Sequence, residues 1–173
     1  MNSKLHRLVA NIAKIDPNPS ASGAAGELFA RKWFEREGLE YFAFPQSQAT
    51  KPSSLTQIGG KRPDFAVALL DGQPPVYVDA KFHQTKDGTE FSLEIAEFEK
   101  YMAFIQWVKQ EGIDDGPIHI LFMLYPKEFS GDKFVWIDLD EIAKGELVTI
   151  NDKPVRKISL SDRDGLWVDS YPA

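Results

Sequence analysis

Cysteine is absent from the sequence, and histidine occurs only three times. The lack of cysteine excludes disulfide bonds, thiolate zinc sites and cysteine nucleophiles, and it fits a reducing compartment. A metal ion bound by this chain must therefore use carboxylates, backbone carbonyls or one of the few imidazoles.

Long apolar runs are missing as well. No stretch of about 18 uninterrupted apolar residues occurs, so we expect no transmembrane helix and no contact with a membrane. The first residues, MNSKLHRLVANIAK, lack the apolar run of about 7 to 15 residues that a secretion signal requires. These features predict a cytoplasmic protein.

Positive charge is in deficit, with 20 Lys and Arg against 26 Asp and Glu, which gives a net charge of −6. This balance argues against a simple nucleic-acid binder, because nonspecific affinity for phosphates comes from clustered Lys and Arg. A carboxylate-rich metal site would add negative charge that bound cations neutralise, so the local charge decides more than the total. The length of 173 residues and the 43% of hydrophobic residues predict one globular domain over 1–173.

Hydrophobic periodicity predicts an α/β chain. Helical spacing occurs around Leu5 to Ile12 and over 22–37 and 92–110, with a further helical turn at 139–144. Strand patterns occur at 39–44, 63–70, 76–82, 118–125, 134–138, 147–150, 155–160 and 166–168. Residues 46–62 and 83–90 are predicted loops. The order predicts a mixed central sheet flanked by helices, with an extra N-terminal helix and a β-rich C-terminal tail.

Two of the predicted strands contain charged residues, which are unexpected in an otherwise apolar strand. Pro63-Asp64 opens one strand, and Asp79-Ala80-Lys81 lies near the end of the next. Because side chains alternate between the two faces of a strand, Asp79 and Lys81 point the same way and Ala80 points to the opposite face. If the two strands pair as a hairpin, two carboxylates and an ammonium converge at one edge of the sheet.

On these residues, written RPDF and VYVDAKF, the sequence resembles the PD-(D/E)xK nucleases. This restriction-endonuclease-like superfamily includes Holliday-junction resolvases, RecB-type nuclease domains and several bacterial nuclease toxins. The resemblance implies an αβββαβ core over about residues 20–125, and it leaves the extension 126–173 unassigned. It also implies that a glutamate on the helix before these strands completes the metal site, and Glu27 lies on that helix. A Gln-x-x-x-Tyr pattern of RecB-like members is matched by Tyr101, whereas Glu97 replaces the glutamine.

The resemblance implies a metal-dependent enzyme that hydrolyses phosphodiester bonds, with DNA favoured over RNA. It implies Mg²⁺ as cofactor, with Mn²⁺ as a substitute, held by Asp64, Asp79, the Ala80 carbonyl and Glu27, the last directly or through water. Lys81 would orient the attacking water and stabilise the developing charge. A protein partner or a homodimer is left open.

Further candidates for contacts with substrate lie around this motif. The loop 46–62 contains Lys51 and ends with Lys61 and Arg62, which we expect to contact the phosphate backbone. His83, two residues beyond Lys81, could touch a phosphate or a metal ion, or it could be a loop histidine without function. Glu97 and Tyr101 are expected to line the same cleft, with a purely packing role as the alternative.

Each motif residue also has a structural reading. Asp64 could cap a turn at a strand start, Asp79 and Lys81 could form an ion pair on an edge strand, and Glu27 could compensate the helix dipole. The corresponding alternative function is a non-catalytic interaction module, such as an immunity, regulatory or assembly protein that keeps the nuclease fold. The acidic balance of the chain favours that alternative.

Overall fold

The computed structural model of the chain describes residues 25–70 and 72–170. The helix predicted around Leu5 to Ile12 lies outside the described residues. The described helices are α1 (Ala25–Arg36), α2 (Ser53–Gln57), α3 (Ile95–Gln110) and α4 (Leu139–Ala143). The strands are β1 (Glu40–Ala43), β2 (Phe65–Ala68), β3 (Val76–His83), β4 (Glu90–Glu94), β5 (Ile120–Pro126), β6 (Lys133–Asp138), β7 (Glu146–Ile150), β8 (Lys153–Ser159) and β9 (Val168–Asp169).

The strands form two sheets. The larger sheet has the order β1-β2-β3-β5-β6-β9, and the smaller has the order β4-β8-β7. Within the larger sheet β3 and β5 are parallel, whereas the other neighbouring strands are antiparallel. The predicted mixed sheet with helices and the αβββαβ order of the core are confirmed. The tail is built into both sheets, because β6 pairs with β5 and β8 pairs with β4.

Side chains from the two faces of the larger sheet form two separate cores. Helix α1 packs on one face, where Phe34 contacts the core that includes Val78. Helix α3 packs on the other face, where Phe104 lies against Tyr77 with ring centroids 5.1 Å apart. Adjacent residues of β3 therefore serve opposite cores. Burial on both faces also explains why β5 is apolar throughout, as expected for a central strand.

Two segments differ from the sequence-based expectation. The predicted loop 46–62 contains the 3-10 turn Gln48–Thr50 and the short helix α2, in which Leu55 is fully buried. The predicted loop 83–90 ends in β4, so α3 begins at Ile95 and not at residue 92. Strand β4 exists because it pairs with β8, about sixty residues later in the chain. The hydrophobic pattern of residues 83–94 alone does not show that a distant strand pairs with them.

Over residues 25–70 and 72–170, no helix is long enough and apolar enough to cross a membrane.

Candidate active site

Strand β3 presents Asp79 and Lys81 on the face that α3 covers. Tyr77, two residues earlier, packs into the core beneath α3, while Ala80 packs toward the core beneath α1. The Lys81 Nζ lies 2.8 Å from Asp79 Oδ2, and the two side chains are 13% and 2% exposed. Strand β3 lies inside the sheet, between β2 and β5. This pair is therefore a buried ion pair on a central strand, not the edge-strand pair of the alternative reading.

The β2–β3 hairpin brings Asp64 beside Asp79. The register pairs Phe65 with Val78, so Asp64 lies one step beyond the last paired residue of β2. Its Oδ2 accepts a hydrogen bond from the backbone N–H of Ala80 at 2.7 Å. Its own carbonyl accepts the N–H of Phe44 at 2.8 Å. Because its carboxylate accepts a hydrogen bond from β3, Asp64 is held at the end of β2 within the sheet and does not cap a turn.

The two carboxylates lie close enough together for the charge of Asp79 to disfavour ionisation of Asp64. Burial raises the pKa of Asp64 well above its usual range, and the charges of Asp79 and Glu27 raise it further, while the Ala80 N–H and Lys61 oppose the shift. The Oδ1 atom of Asp79 is buried without a hydrogen-bond partner among the described residues. The Nζ of Lys61 lies 3.8 Å from that oxygen. A buried pair of carboxylates with an oxygen that accepts no hydrogen bond favours the binding of a cation.

Helix α1 approaches the same end of β3 through a glycine. A β-carbon on Gly26 would lie 3.1 Å from Ala80 O and 3.3 Å from Phe82 N, so only glycine permits this close approach without displacement. The contact places Glu27 in the first turn of α1, buried, near enough to influence the pKa of Asp64. Its Oε2 lies 3.9 Å from the Arg31 guanidinium.

Glu27 does not join the two aspartates in a single ligand cluster. Among the residues that the structure describes, no group of three or more His, Cys, Asp or Glu side chains could hold a metal ion. The side-chain ligands offered by this arrangement are thus the pair Asp64 and Asp79. The helix-dipole reading of Glu27 also stands, because a carboxylate in a first turn is stabilised by the helix.

Helix α3 contributes Glu97 and Tyr101, which lie one helical turn apart on the face toward β3. Lys81 Nζ donates to Glu97 Oε1 at 2.7 Å and to the Tyr101 hydroxyl at 2.9 Å. Burial alone would lower the pKa of Lys81, but Asp79 and Glu97 outweigh it and hold that pKa above its usual value. Lys81 is therefore a fixed ammonium. Burial opposes ionisation of Glu97, yet Lys81 and Lys61 lower its pKa to about 2.

Lys61 lies inside the site. Its Nζ donates to Glu97 Oε1 at 2.6 Å and to the Tyr101 hydroxyl at 3.0 Å, so two lysines share one carboxylate oxygen. The backbone holds it there, because Lys61 N donates to Lys100 O on α3 at 3.0 Å. The preceding Gly60 has no room for a β-carbon, which would clash with the Leu55 side chain.

Arg62 occupies a different environment from its neighbour. Its side chain is 5% exposed, and its guanidinium donates to Thr50 O at 2.9 Å, to Thr50 Oγ1 at 3.1 Å and to Ser47 O at 3.2 Å. The expected phosphate contact does not fit this placement, because these donors already bind the loop. Arg62 holds the 3-10 turn against the start of the β2 segment.

Replacing Arg62 with alanine should therefore destabilise the fold. The change removes three partly buried, charge-assisted hydrogen bonds that hold the turn, which costs about 1–3 kcal/mol of the free energy of unfolding. Urea unfolding measures the effect, with Lys109→Ala as a control that removes an exposed cation and should shift stability by no more than about 0.5 kcal/mol. Equal midpoints for the two variants would show that the guanidinium does not stabilise the loop.

His83 lies at the exposed end of β3. Its Nδ1 is 3.1 Å from Gln84 O, and its ring meets Phe91 edge-on. Together with Lys81 and Glu97 it lines a cavity of about 370 Å³ that extends to the β7–β8 turn. His83 therefore shares a cavity with the ammonium of Lys81.

Two basic residues beside the site were not among the sequence-based candidates. Arg31 follows Glu27 by four positions on one helix, a spacing that predicts an ion pair. Lys100 directly precedes Tyr101, and its carbonyl anchors Lys61. No sequence signal separated Lys100 from the other exposed lysines.

Comparison with known proteins gives a likeness in structure but none in sequence. No protein-family model and no curated protein matches the sequence. The chain is similar in structure to Hjc of Archaeoglobus fulgidus, a Holliday junction resolvase from an archaeal hyperthermophile. The likeness covers 85% of this chain and 95% of that chain, with a TM-score of 0.44 and 11% sequence identity.

Proposed function

We propose that this chain is a metal-dependent nuclease that hydrolyses phosphodiester bonds, with DNA favoured over RNA as substrate. The observation that carries the proposal is the buried pair of Asp64 and Asp79 beside the fixed ammonium of Lys81. A buried carboxylate oxygen without a hydrogen-bond partner is costly unless a cation satisfies it.

The donor set suits Mg²⁺, with Mn²⁺ as a substitute, because hard cations prefer oxygen ligands. Asp64 and Asp79 would hold the ion together with the Ala80 carbonyl, and Glu27 would contribute through water, since it forms no three-membered cluster with the aspartates. The raised pKa of Asp64 and the unpartnered Asp79 oxygen support this assignment. A bound Mg²⁺ supplies charge neutralisation at the phosphate and a more acidic water.

Lys81 acts by charge and position. Asp79, Glu97 and the Tyr101 hydroxyl all hold its ammonium, so it needs little reorganisation when negative charge develops on the phosphoryl oxygens. Its raised pKa keeps it protonated at neutral pH, so its positive charge stabilises the hydroxide form of the attacking water and the charge on the phosphate, and it accepts no proton. Tyr101 and Glu97 position Lys81 and do not touch the reacting atoms in this assignment.

The test is cleavage of plasmid DNA, single-stranded DNA and RNA by the purified chain, with Mg²⁺, Mn²⁺, Ca²⁺ or EDTA. We expect cleavage of DNA with Mg²⁺ or Mn²⁺, little with Ca²⁺, whose coordination is looser, and none with EDTA. Melting temperature should rise with each cation, because the cation binds the folded state. Cleavage that survives EDTA would overturn the metal-dependent reading.

A non-catalytic interaction module is the second candidate. It is favoured by the net charge of −6 and by Glu97, which already neutralises Lys61 and Lys81. This reading expects no cleavage with any cation and no change of melting temperature on metal addition. The same set of measurements therefore separates the two functions.

A further inference from the structure

A second cavity adjoins the candidate active site, and its lining is basic. Its volume is about 340 Å³, and the charged side chains around it are Lys51, Lys61, Arg62 and Lys100. No acidic residue of the described ranges 25–70 and 72–170 lines it, although the chain as a whole carries a net charge of −6. The cavity near His83, in contrast, contains Glu94 and Glu97 beside its lysines. Positive charge is therefore concentrated in one place.

The four cations differ in what already binds them. Lys61 is bound to Glu97, and Arg62 is bound to the loop. Lys51 and Lys100 form no ion pair within the described part of the chain. Burial lowers the pKa of Lys51, and the charges of Arg62 and Lys100 lower it further, which reflects mutual repulsion within the cavity. An anion bound between these lysines would relieve that repulsion.

The walls of this cavity are fixed by the fold. Arg62 ties the turn to the strand that follows, Gly60 packs on Leu55, and Lys61 N binds Lys100 O. Lys61 also links the cavity to the carboxylate pair, because its Nζ lies 3.8 Å from Asp79 Oδ1. A preorganised basic cavity next to a phosphodiester-cleaving site is well placed to bind a neighbouring phosphate of the same substrate.

The lining further favours backbone over base recognition. None of the described residues that line the cavity is aromatic, so these residues offer no surface on which a base could stack. The glutamines Gln46 and Gln48 at its edge can donate amide hydrogen bonds to phosphate or sugar oxygens. Such contacts position a strand without reading its sequence.

We propose that Lys51 and Lys100 bind a backbone phosphate of the nucleic-acid substrate, adjacent to the phosphate that is cleaved. This inference rests on the proposed nuclease function and adds the binding site that orients the strand. The phosphate contact expected of the 46–62 loop is thereby assigned to Lys51 of the loop, together with Lys100 of α3. Arg62 shapes the cavity.

Binding of fluorescently labelled DNA oligonucleotides of several sequences, measured by anisotropy in EDTA over a salt series, tests the site. The Lys51→Ala/Lys100→Ala variant should bind at least about tenfold more weakly than the parent for every sequence. The slope of log affinity against log salt should fall by about 1–2 units, since each lost phosphate contact contributes nearly one. The matched control, Lys32→Ala/Lys109→Ala, removes the same charge from exposed lysines outside the cavity.

The outcomes separate this inference from the proposed function. If the parent cleaves DNA while the cavity variant binds with the affinity and slope of the control, the cavity proposal is overturned and the nuclease stands. If the parent binds DNA in the expected way but never cleaves it, the cavity is supported and catalysis is not. A parent that binds no DNA at low salt overturns the cavity proposal. Melting temperatures of both variants within about 2 °C of the parent establish that neither loss reflects unfolding.

Discussion

Asp64→Asn and Asp79→Asn should both abolish cleavage, yet they should shift the stability of the metal-free protein in opposite directions. Each change removes a ligand from the proposed cation site. Asp64→Asn should raise the melting temperature in EDTA, because it removes a buried charge that Asp79 and Glu27 repel. The asparagine side-chain oxygen can still accept the Ala80 N–H, so the bond at 2.7 Å is retained.

Asp79→Asn should lower the melting temperature. Asp79 is 2% exposed and forms the 2.8 Å ion pair with Lys81, so the change removes a negative charge that compensates a nearly buried ammonium, although the asparagine oxygen can still accept its hydrogen bond. Because Glu97 and the Tyr101 hydroxyl remain, we expect a cost of about 1–3 kcal/mol and not the full penalty of an unpaired buried charge. Stabilisation by both variants, or equal destabilisation, would contradict the assigned partners.

The pH dependence gives a further check on Asp64. Its folded-state pKa is raised, so the folded protein holds this proton more tightly than the unfolded chain. Stability therefore falls as pH rises from the unfolded pKa of about 3.9 through the raised folded value. Glu97 has the opposite sign, since its pKa is lowered from 4.5 to about 2 and its contribution is lost as pH falls through that range. The difference between parent and Asp64→Asn isolates the Asp64 contribution.

The measurement is urea unfolding of the parent and both variants in EDTA at a series of pH values. The stability gained by Asp64→Asn should be largest at neutral pH and should shrink as Asp64 of the parent becomes protonated. A gain that does not change with pH would place its origin in packing and not in charge. Cleavage assays with Mg²⁺ on the same samples must show loss of activity in both folded variants.

Much of the motif could be predicted because its geometry is local. The common face of Asp79 and Lys81 follows from strand alternation, and the position of Asp64 follows from a hairpin between two neighbouring strands. Glu97 and Tyr101 share a helix face because they are four residues apart. None of these relations needs knowledge of distant parts of the chain.

Other features depend on contacts between distant segments and could not be predicted. Lys61 and Arg62 are adjacent and carry the same charge, yet one binds Glu97 on α3 and the other is buried against the preceding turn. Just before these two residues, Gly60 packs so closely on Leu55 that a β-carbon would not fit. In the same way, β4 forms only because β8 supplies its partner strand. The basic cavity combines the 46–62 loop with Lys100 of α3, so the loop sequence alone did not disclose it.

Replacing Lys81 with methionine should reduce turnover by about 100-fold to 1000-fold, as expected when a fixed group that stabilises transition-state charge is removed. Methionine keeps most of the side-chain volume, so the change tests the charge. Lys61→Met should have a smaller effect, because Lys61 is 36% exposed and Lys81 still holds Glu97 and Asp79. Both variants remove one positive charge from the same carboxylates, which makes them a matched pair.

Metal binding distinguishes a loss of catalytic charge from a loss of the cation site. Without Lys81, Asp79 keeps both oxygens and loses its 2.8 Å ion pair, so its affinity for a divalent cation should be equal or greater. The rise in melting temperature on addition of Ca²⁺, which supports binding with little cleavage, should then be at least as large in Lys81→Met as in the parent. Asp79→Asn should lose most of this Ca²⁺-induced rise in melting temperature.

Two outcomes would contradict the assigned role of Lys81. Retained turnover in Lys81→Met would show that the ammonium takes no part in catalysis. Loss of the Ca²⁺-induced rise in that variant would mean that Lys81 builds the cation site and does not act on the substrate. Turnover and melting temperature are measured on the same protein, so a variant that fails to fold is recognised because it shows no thermal unfolding transition. In that case the conservative Lys81→Arg variant, which keeps the charge, should recover the fold and part of the activity.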